Sequence, residues 1–309
     1  MCSLFQSISG HKTGFHCSSN CSHKGVRMTS QTDRGAYVHK GTEIPDPHPP
    51  EGTTVLRDIA FGSHPRQCYD LYLPANAKPG LPVVFFAHGG AWVRRNKLAI
   101  RMMYVLEHGF ALASTGYRLA TDEPFPAQVQ DFRSGAAHLV ANADEYGINP
   151  ERVFFAGASA GAYLASLAAL AMSEPEFGPV TPVRGVVSIY GPSDLIAMAG
   201  PMLGGLDHDA PDGPANQLLG TSVRDNPDIA RRASPVTWIS SEAPPFLVLH
   251  GDADRVVPFS QGVILDAHLR VAGVESQLVQ LQGIGHGAPE FQQPPTTNTI
   301  IEFLQRHSV

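Results

Sequence analysis

The chain has 309 residues, 43% of them apolar and 16% charged, enough for one large α/β domain or two small ones with a sizeable core. Its formal charge of −6 gives no electrostatic reason to expect nucleic acid or an anionic membrane as a partner. No apolar run approaches the roughly 20 residues that span a bilayer.

Residues 1–50 are rich in Ser, His, Gly, Thr and Pro, show no hydrophobic period and lack the apolar h-region of a secretory signal. They read as a disordered extension ending in IPDPHPPEG, with Met28 an alternative start and a cytoplasmic, reducing location expected. Cys2, Cys17 and Cys21 fall here, away from Cys68. Cys17, Cys21 and His23 match no common zinc spacing, and a Cys17–Cys21 disulfide would need oxidising surroundings.

From residue 51 to 309 the pattern becomes regular. TTVLRDIAF and CYDLYLP alternate as two antiparallel opening strands, and LPVVFFAHGG is a continuous apolar run suited to a strand buried on both faces. A helical segment is expected over 100–108, then the strand GFALASTGY, then a helix over 125–145 closed by Gly147 and Pro150. A strand at Val153, a helix after Ser159 and the strand VRGVVSIYG follow. Residues 191–243 are rich in Gly, Pro and Asp, with helical pieces near 216–219 and 228–232, and read as a cap-like insertion over the sheet. PPFLVLHG is a strand, 258–271 a helix, ESQLVQLQG a strand and 296–306 the closing helix. This alternation predicts one mostly parallel sheet covered on both faces.

Within VFFAGASAGAYLASLAAL, a buried-strand pattern turns into a helix pattern at Ser159, with Gly157 and Gly161 on either side. A strand that reverses directly into a helix forces the residue at the junction into a strained turn, where larger neighbours would collide. Such a turn lifts the hydroxyl to the helix N-terminus, whose dipole favours developing negative charge. A serine alone is a poor nucleophile and needs a base.

Three further stretches supply what it lacks. HGGAW, residues 88–92, ends a strand in glycines that leave backbone N–H groups accessible, so Gly90 and Ala91, with Ala160, are the expected oxyanion-hole donors. His88 reads as a structural group that holds this loop. HGDADRVVP presents two carboxylates after a strand; Asp254 is the expected partner of a histidine, because Asp252 lies in the first turn, where carboxylates bond to backbone N–H groups. GIGHG places His286 on a glycine-flanked loop, able to take and return a proton. The chain has 14 histidines, and position singles out His286; His64, His108, His138, His268 and His307 read as solvated or on helix faces. Ser159, Asp254 and His286 occur in that order, each after a predicted strand.

Together with DLYLP, GYRLATDEPFPAQVQD, GPSDL and ASPV, these motifs make residues 53–306 resemble α/β-hydrolase esterases of the hormone-sensitive-lipase and feruloyl-esterase-like (BD-FAE) type, relatives of arylformamidase. The resemblance implies an α/β-hydrolase fold, with a mostly parallel sheet of about eight strands and helices on both faces. It implies Ser159, Asp254 and His286 as catalytic triad and Gly90 and Ala91 as oxyanion donors. Ala91 stands where hormone-sensitive-lipase-like members carry a third glycine, and Ala162 where their GDSAGG ends, which pulls toward the feruloyl-esterase-like side. Arg118 and Asp131 are expected to pair beneath the site. Trp92, Tyr117 and Tyr190 either line the substrate pocket or pack in the core. The insertion is shorter than a full lipase lid, which favours small to medium soluble esters, aryl esters among them. The expected activity is that of a serine carboxylesterase acting through an acyl-enzyme, as monomer or homodimer, with no metal or cofactor. Two alternatives stay open, an arylformamidase cleaving N-formylkynurenine and a non-catalytic hydrolase-fold binding protein.

Overall fold

A computed structural model of the chain describes residues 44–200 and 206–309. The extension expected at the N-terminus, with Cys2, Cys17, Cys21, His23 and Met28, lies outside the described residues up to residue 43.

Eight strands form one sheet: β1 (Thr54–Ala60), β2 (Cys68–Leu73), β3 (Leu81–Ala87), β4 (Ala111–Thr115), β5 (Ile148–Ala158), β6 (Gly185–Ile189), β7 (Phe246–Gly251) and β8 (Ser276–Leu281). Their order is β1-β2-β4-β3-β5-β6-β7-β8. The first two strands pair antiparallel and β2 runs antiparallel to β4, while every pairing from β4 to β8 is parallel. Among the described residues eight α-helices accompany them: α1 (Ala127–Ala141), α2 (Ala143–Tyr146), α3 (Ala160–Leu170), α4 (Leu195–Met198), α5 (Pro214–Leu219), α6 (Pro227–Arg232), α7 (Ser260–Val271) and α8 (Thr296–His307). Among the described residues no helix is long and apolar enough to cross a membrane.

The continuous apolar runs in β3 and β5 follow from burial on both faces. Val83 and Phe85, with Val153 and Phe155, point into a core built with Phe132 of α1, Leu164 of α3 and Leu269 of α7. Val84, Phe86 and Phe154 point the other way, against Ile300 and Phe303 of α8. A strand with period two and helices on both sides needs no polar face.

Several boundaries differ from the sequence reading, each for a local reason. Residues 103–108 form a 3-10 turn within the segment expected to be helical from 100. The expected helix over 125–145 divides at Asn142, whose side-chain amide donates to the His138 carbonyl at 2.7 Å and competes with the helix ladder. The strand expected at Val153 starts at Ile148, because the register shifts between Leu81 and Val83 and the irregularity admits Pro150. In the insertion, α5 and α6 occupy the two expected helical pieces, and α4 precedes them. Ser193 fixes its start to α7, the backbone N–H donating to the Gln261 side chain at 2.8 Å and the hydroxyl to the Gln261 carbonyl at 2.7 Å.

The parallel strands end level. Ala87 of β3 is in register with Thr115 of β4 and with Gly157 of β5, and the chain order diverges to either side of β3. The crevice at such a switch point, above the carboxyl ends of the strands, is where α/β sheets bind ligands.

Candidate active site

Ser159 sits between β5 and α3 with φ 55° and ψ −120°, a left-handed conformation unusual for serine. The flanking glycines are dictated by backbone, not by side chains. A Cβ on Gly157 would lie 2.2 Å from the Gly161 carbonyl carbon, and one on Gly161 only 2.0 Å from the Ala87 oxygen and 2.7 Å from the His88 oxygen. A Cβ on Gly89 would lie 2.8 Å from the Ala158 oxygen and 3.2 Å from Ser159 Cβ. The glycines therefore let the strand-to-helix turn and the loop after β3 press together.

Three side chains converge at this turn. His286 Nε2 lies 3.0 Å from Ser159 Oγ, and its Nδ1 lies 2.6 Å from Asp254 Oδ2. With Nδ1–H donating to the carboxylate, Nε2 is free to accept the serine proton. Asp254 is 7% exposed, and its Oδ1 accepts from the Val256 and Val257 N–H groups at 2.8 and 3.0 Å. Burial alone would raise its pKa; the nearby His250 ring, the His286 hydrogen bond and the Val256 N–H outweigh burial and hold it well below the usual carboxylate range. Asp252, by contrast, is exposed and bonds the Gly283 N–H at 2.6 Å and Gln280 at 2.9 Å, as a turn residue would.

The loop after β3 carries the expected oxyanion donors. Gly90 has φ 130°, Ala91 53° and Trp92 60°. The Gly90 carbonyl accepts from the N–H groups of Val93 and Arg94 at 3.1 and 3.2 Å, closing a tight turn, whereas the Gly90 and Ala91 N–H groups make no hydrogen bond among the described residues. Ala160 is the first residue of α3. His88 fixes the loop from below: it is fully buried, donates from Nδ1 to the Gly89 carbonyl at 2.7 Å and stacks on Tyr117 at 4.4 Å. Burial lowers its pKa to about 4, so the ring is neutral near pH 7.

The aromatics separate. Tyr117 is fully buried, its hydroxyl donating to the His88 carbonyl at 2.9 Å, and Trp92 is 1% exposed and packs edge-on against Tyr163 at 5.1 Å. Both are core groups supporting the loop rather than pocket walls. Tyr190, nearly as buried, packs edge-on against the His286 ring at 4.6 Å and against Phe291 at the same distance. Arg118 and Asp131 form the expected pair, with Nη2 2.6 Å from Oδ1 and Nε 2.9 Å from Oδ2.

Two histidines near the triad were given no role by the sequence reading, although His250 opens the HGDADRVVP stretch. His250 is fully buried, donates from Nε2 to the Val257 carbonyl at 2.9 Å and lies 3.5 Å from Asp254 Oδ2. His208, from the insertion, donates to the Val256 carbonyl at 2.7 Å and so ties the insertion to the Asp254 loop. Both act on the segment whose N–H groups hold the carboxylate.

The geometry is that of a hydroxyl, base and carboxylate relay beside backbone donors. Residues 69–269 match the family model described as BD-FAE. The chain belongs to the BD-FAE family. It is 31% identical over 266 residues to Esterase LipC of Mycobacterium tuberculosis, a match covering 81% of this chain and 64% of that protein. It is 32% identical over 244 residues to Esterase LipQ of the same organism, covering 74% of this chain and 56% of that protein. The chain thus spans less than two thirds of the length of these curated relatives. A solved structure described as a truncated form of carbohydrate esterase from gut microbiota matches this BD-FAE chain with a TM-score of 0.76 and 25% identity, covering 84% of this chain and 99% of that one. The chain has the α/β-hydrolase fold.

Proposed function

We propose that the chain is a serine carboxylesterase that hydrolyses small to medium soluble esters through an acyl-enzyme. The observation that carries this reading is the unbroken relay from Ser159 Oγ through His286 to Asp254, with distances of 3.0 and 2.6 Å. The names of the esterase relatives support the same reaction class.

Ser159 Oγ attacks the ester carbonyl carbon while its proton passes to His286 Nε2, and the carbonyl electrons move onto oxygen. The N–H groups of Gly90, Ala91 and Ala160 stabilise that oxyanion, and Asp254 stabilises the imidazolium. As the tetrahedral species collapses, the bond to the alcohol oxygen breaks, His286 protonates the departing alcohol, and the acyl group remains on Ser159. Water then loses a proton to His286, attacks the acyl carbon, and the acid leaves as Ser159 regains its proton. The sum is ester plus water to acid plus alcohol, with no other reactant.

Hydrolysis of p-nitrophenyl acetate, butyrate and octanoate, measured beside N-formylkynurenine, tests the proposal. Expected is ester turnover that declines with acyl length and falls on the order of 10⁴-fold or more in a folded Ser159→Ala variant. Undiminished hydrolysis by that variant would defeat the mechanism. Much faster turnover of N-formylkynurenine would reassign the chain to arylformamidase activity.

A further inference from the structure

Asp254 Oδ1 accepts the N–H groups of Val256 and Val257 at 2.8 and 3.0 Å, and Oδ2 receives His286 Nδ1–H at 2.6 Å. The carbonyls of the same two residues are engaged as well. His208 Nε2 lies 2.7 Å from the Val256 oxygen, and His250 Nε2 lies 2.9 Å from the Val257 oxygen. A carbonyl oxygen only accepts, so each Nε2 carries a proton.

The two contacts are not equivalent. The Val256 carbonyl and the Val257 N–H belong to one planar trans peptide, so the direction of the first fixes that of the second. Donation to the oxygen also polarises the group and strengthens the bond its N–H makes. The Val257 carbonyl leads instead into Pro258, which has no N–H to donate onward. His208 therefore heads a continuous series. Its Nε2–H meets the Val256–Val257 peptide, that peptide meets Asp254 Oδ1, Asp254 Oδ2 meets His286 Nδ1, and His286 Nε2 lies 3.0 Å from Ser159 Oγ.

His208 comes from the insertion rather than from the sheet, and it is buried. Its segment is built to present it. The Asn216 amide donates to the Asp209 and Ala210 carbonyls at 3.1 and 2.9 Å, and the Val223 N–H donates to the Asp209 carboxylate at 2.9 Å. Gly213 lets the turn close, since a Cβ there would lie 2.5 Å from the His208 oxygen.

We propose that His208 is a positioning residue for the Ser159 reaction: it aims the Val257 N–H at Asp254 and so fixes the carboxylate that orients His286. The assignment rests on the esterase reading above. It gives the insertion a part in turnover that needs no contact with the ester.

Two variants of matched side-chain length, His208→Gln and His208→Met, test it on 4-nitrophenyl acetate, each in the wild-type and the Asp254→Asn background, with denaturant midpoints to verify folding. Expected for His208→Met is a kcat about tenfold lower with KM within about twofold. His208→Gln, whose amide can donate to the same carbonyl, should recover most of that loss. A residue that acts through the carboxylate loses its effect with it, so His208→Met should cost less than about twofold beside Asp254→Asn. A folded His208→Met with kcat within about twofold of wild type, or the same loss in both backgrounds, overturns the proposal. Nitrogen-15 NMR of histidine-labelled wild type reads the tautomer whether or not the variants fold. A proton on His208 Nε2 supports the series, and a bare Nε2 overturns it. Wild type without Ser159-dependent turnover overturns the esterase reading, and the positioning role with it.

Discussion

Asp252 and Asp254 stand two residues apart on one loop, and their surroundings give them different work. Asp254 is buried, receives two backbone N–H groups and holds His286, whereas Asp252 is exposed and closes a turn through Gly283 and Gln280. Replacing Asp254 with Asn removes the acceptor that selects the Nδ1–H tautomer, so kcat for a neutral ester is expected to fall by about 10³ to 10⁴. Asp252→Asn should change it by less than about threefold, since an exposed turn contact contributes little. Equal losses in the two variants, read from initial rates, would contradict this division. The sequence reading separated these carboxylates by turn position, yet Asp254 also accepts two loop N–H groups, so what distinguishes it is its burial and its contact with His286. His286 was read from its glycine-flanked loop after a strand. His250 and His208 were not legible, because their contacts with the Val257 and Val256 carbonyls join segments whose approach the sequence does not state. The alternatives for Trp92 and Tyr117 likewise needed the structure, since an aromatic at a strand end packs inward or outward according to neighbours such as Tyr163 and His88.

At the scale of elements, the turn from β5 into α3 and the loop after β3 behave as one unit. A Cβ on Gly161 would meet the backbone of Ala87 and His88, and neither strand end can retreat without breaking register with its neighbours. Gly161→Ala is therefore expected to lower the unfolding free energy by about 3 kcal/mol or more, or to prevent folding, as backbone overpacking does. A denaturant midpoint unchanged from wild type would show that the two segments are not locked. The strands and main helices were readable because burial on both faces writes continuous apolar runs into β3 and β5. Their ends were less so: the break at Asn142 and the start of β5 at Ile148 depend on one side-chain hydrogen bond and one register shift.

The whole molecule carries a formal net charge of −6. Acid sensitivity is also built into the core. His88 is fully buried and its pKa is lowered from 6.5 to about 4 by desolvation. A histidine depressed on folding binds its proton more readily when unfolded, so its contribution is complete above pH 6.5 and is lost as pH falls toward 4. The loss reaches about 3 kcal/mol. His208 is lowered in the same direction, chiefly by burial, and adds to it. Unfolding free energies at pH 7 and pH 4.5 should differ accordingly, and equal values would show that these rings are not buried neutral. The central claim, that Ser159 is the attacking group, is tested most directly by treating the protein with a fluorophosphonate ester and mapping the modified peptide by mass spectrometry. The account predicts one phosphonyl group per chain, on Ser159, absent from Ser159→Ala and greatly slowed in a His286→Ala variant. Modification elsewhere, or none on a folded protein, would contradict it.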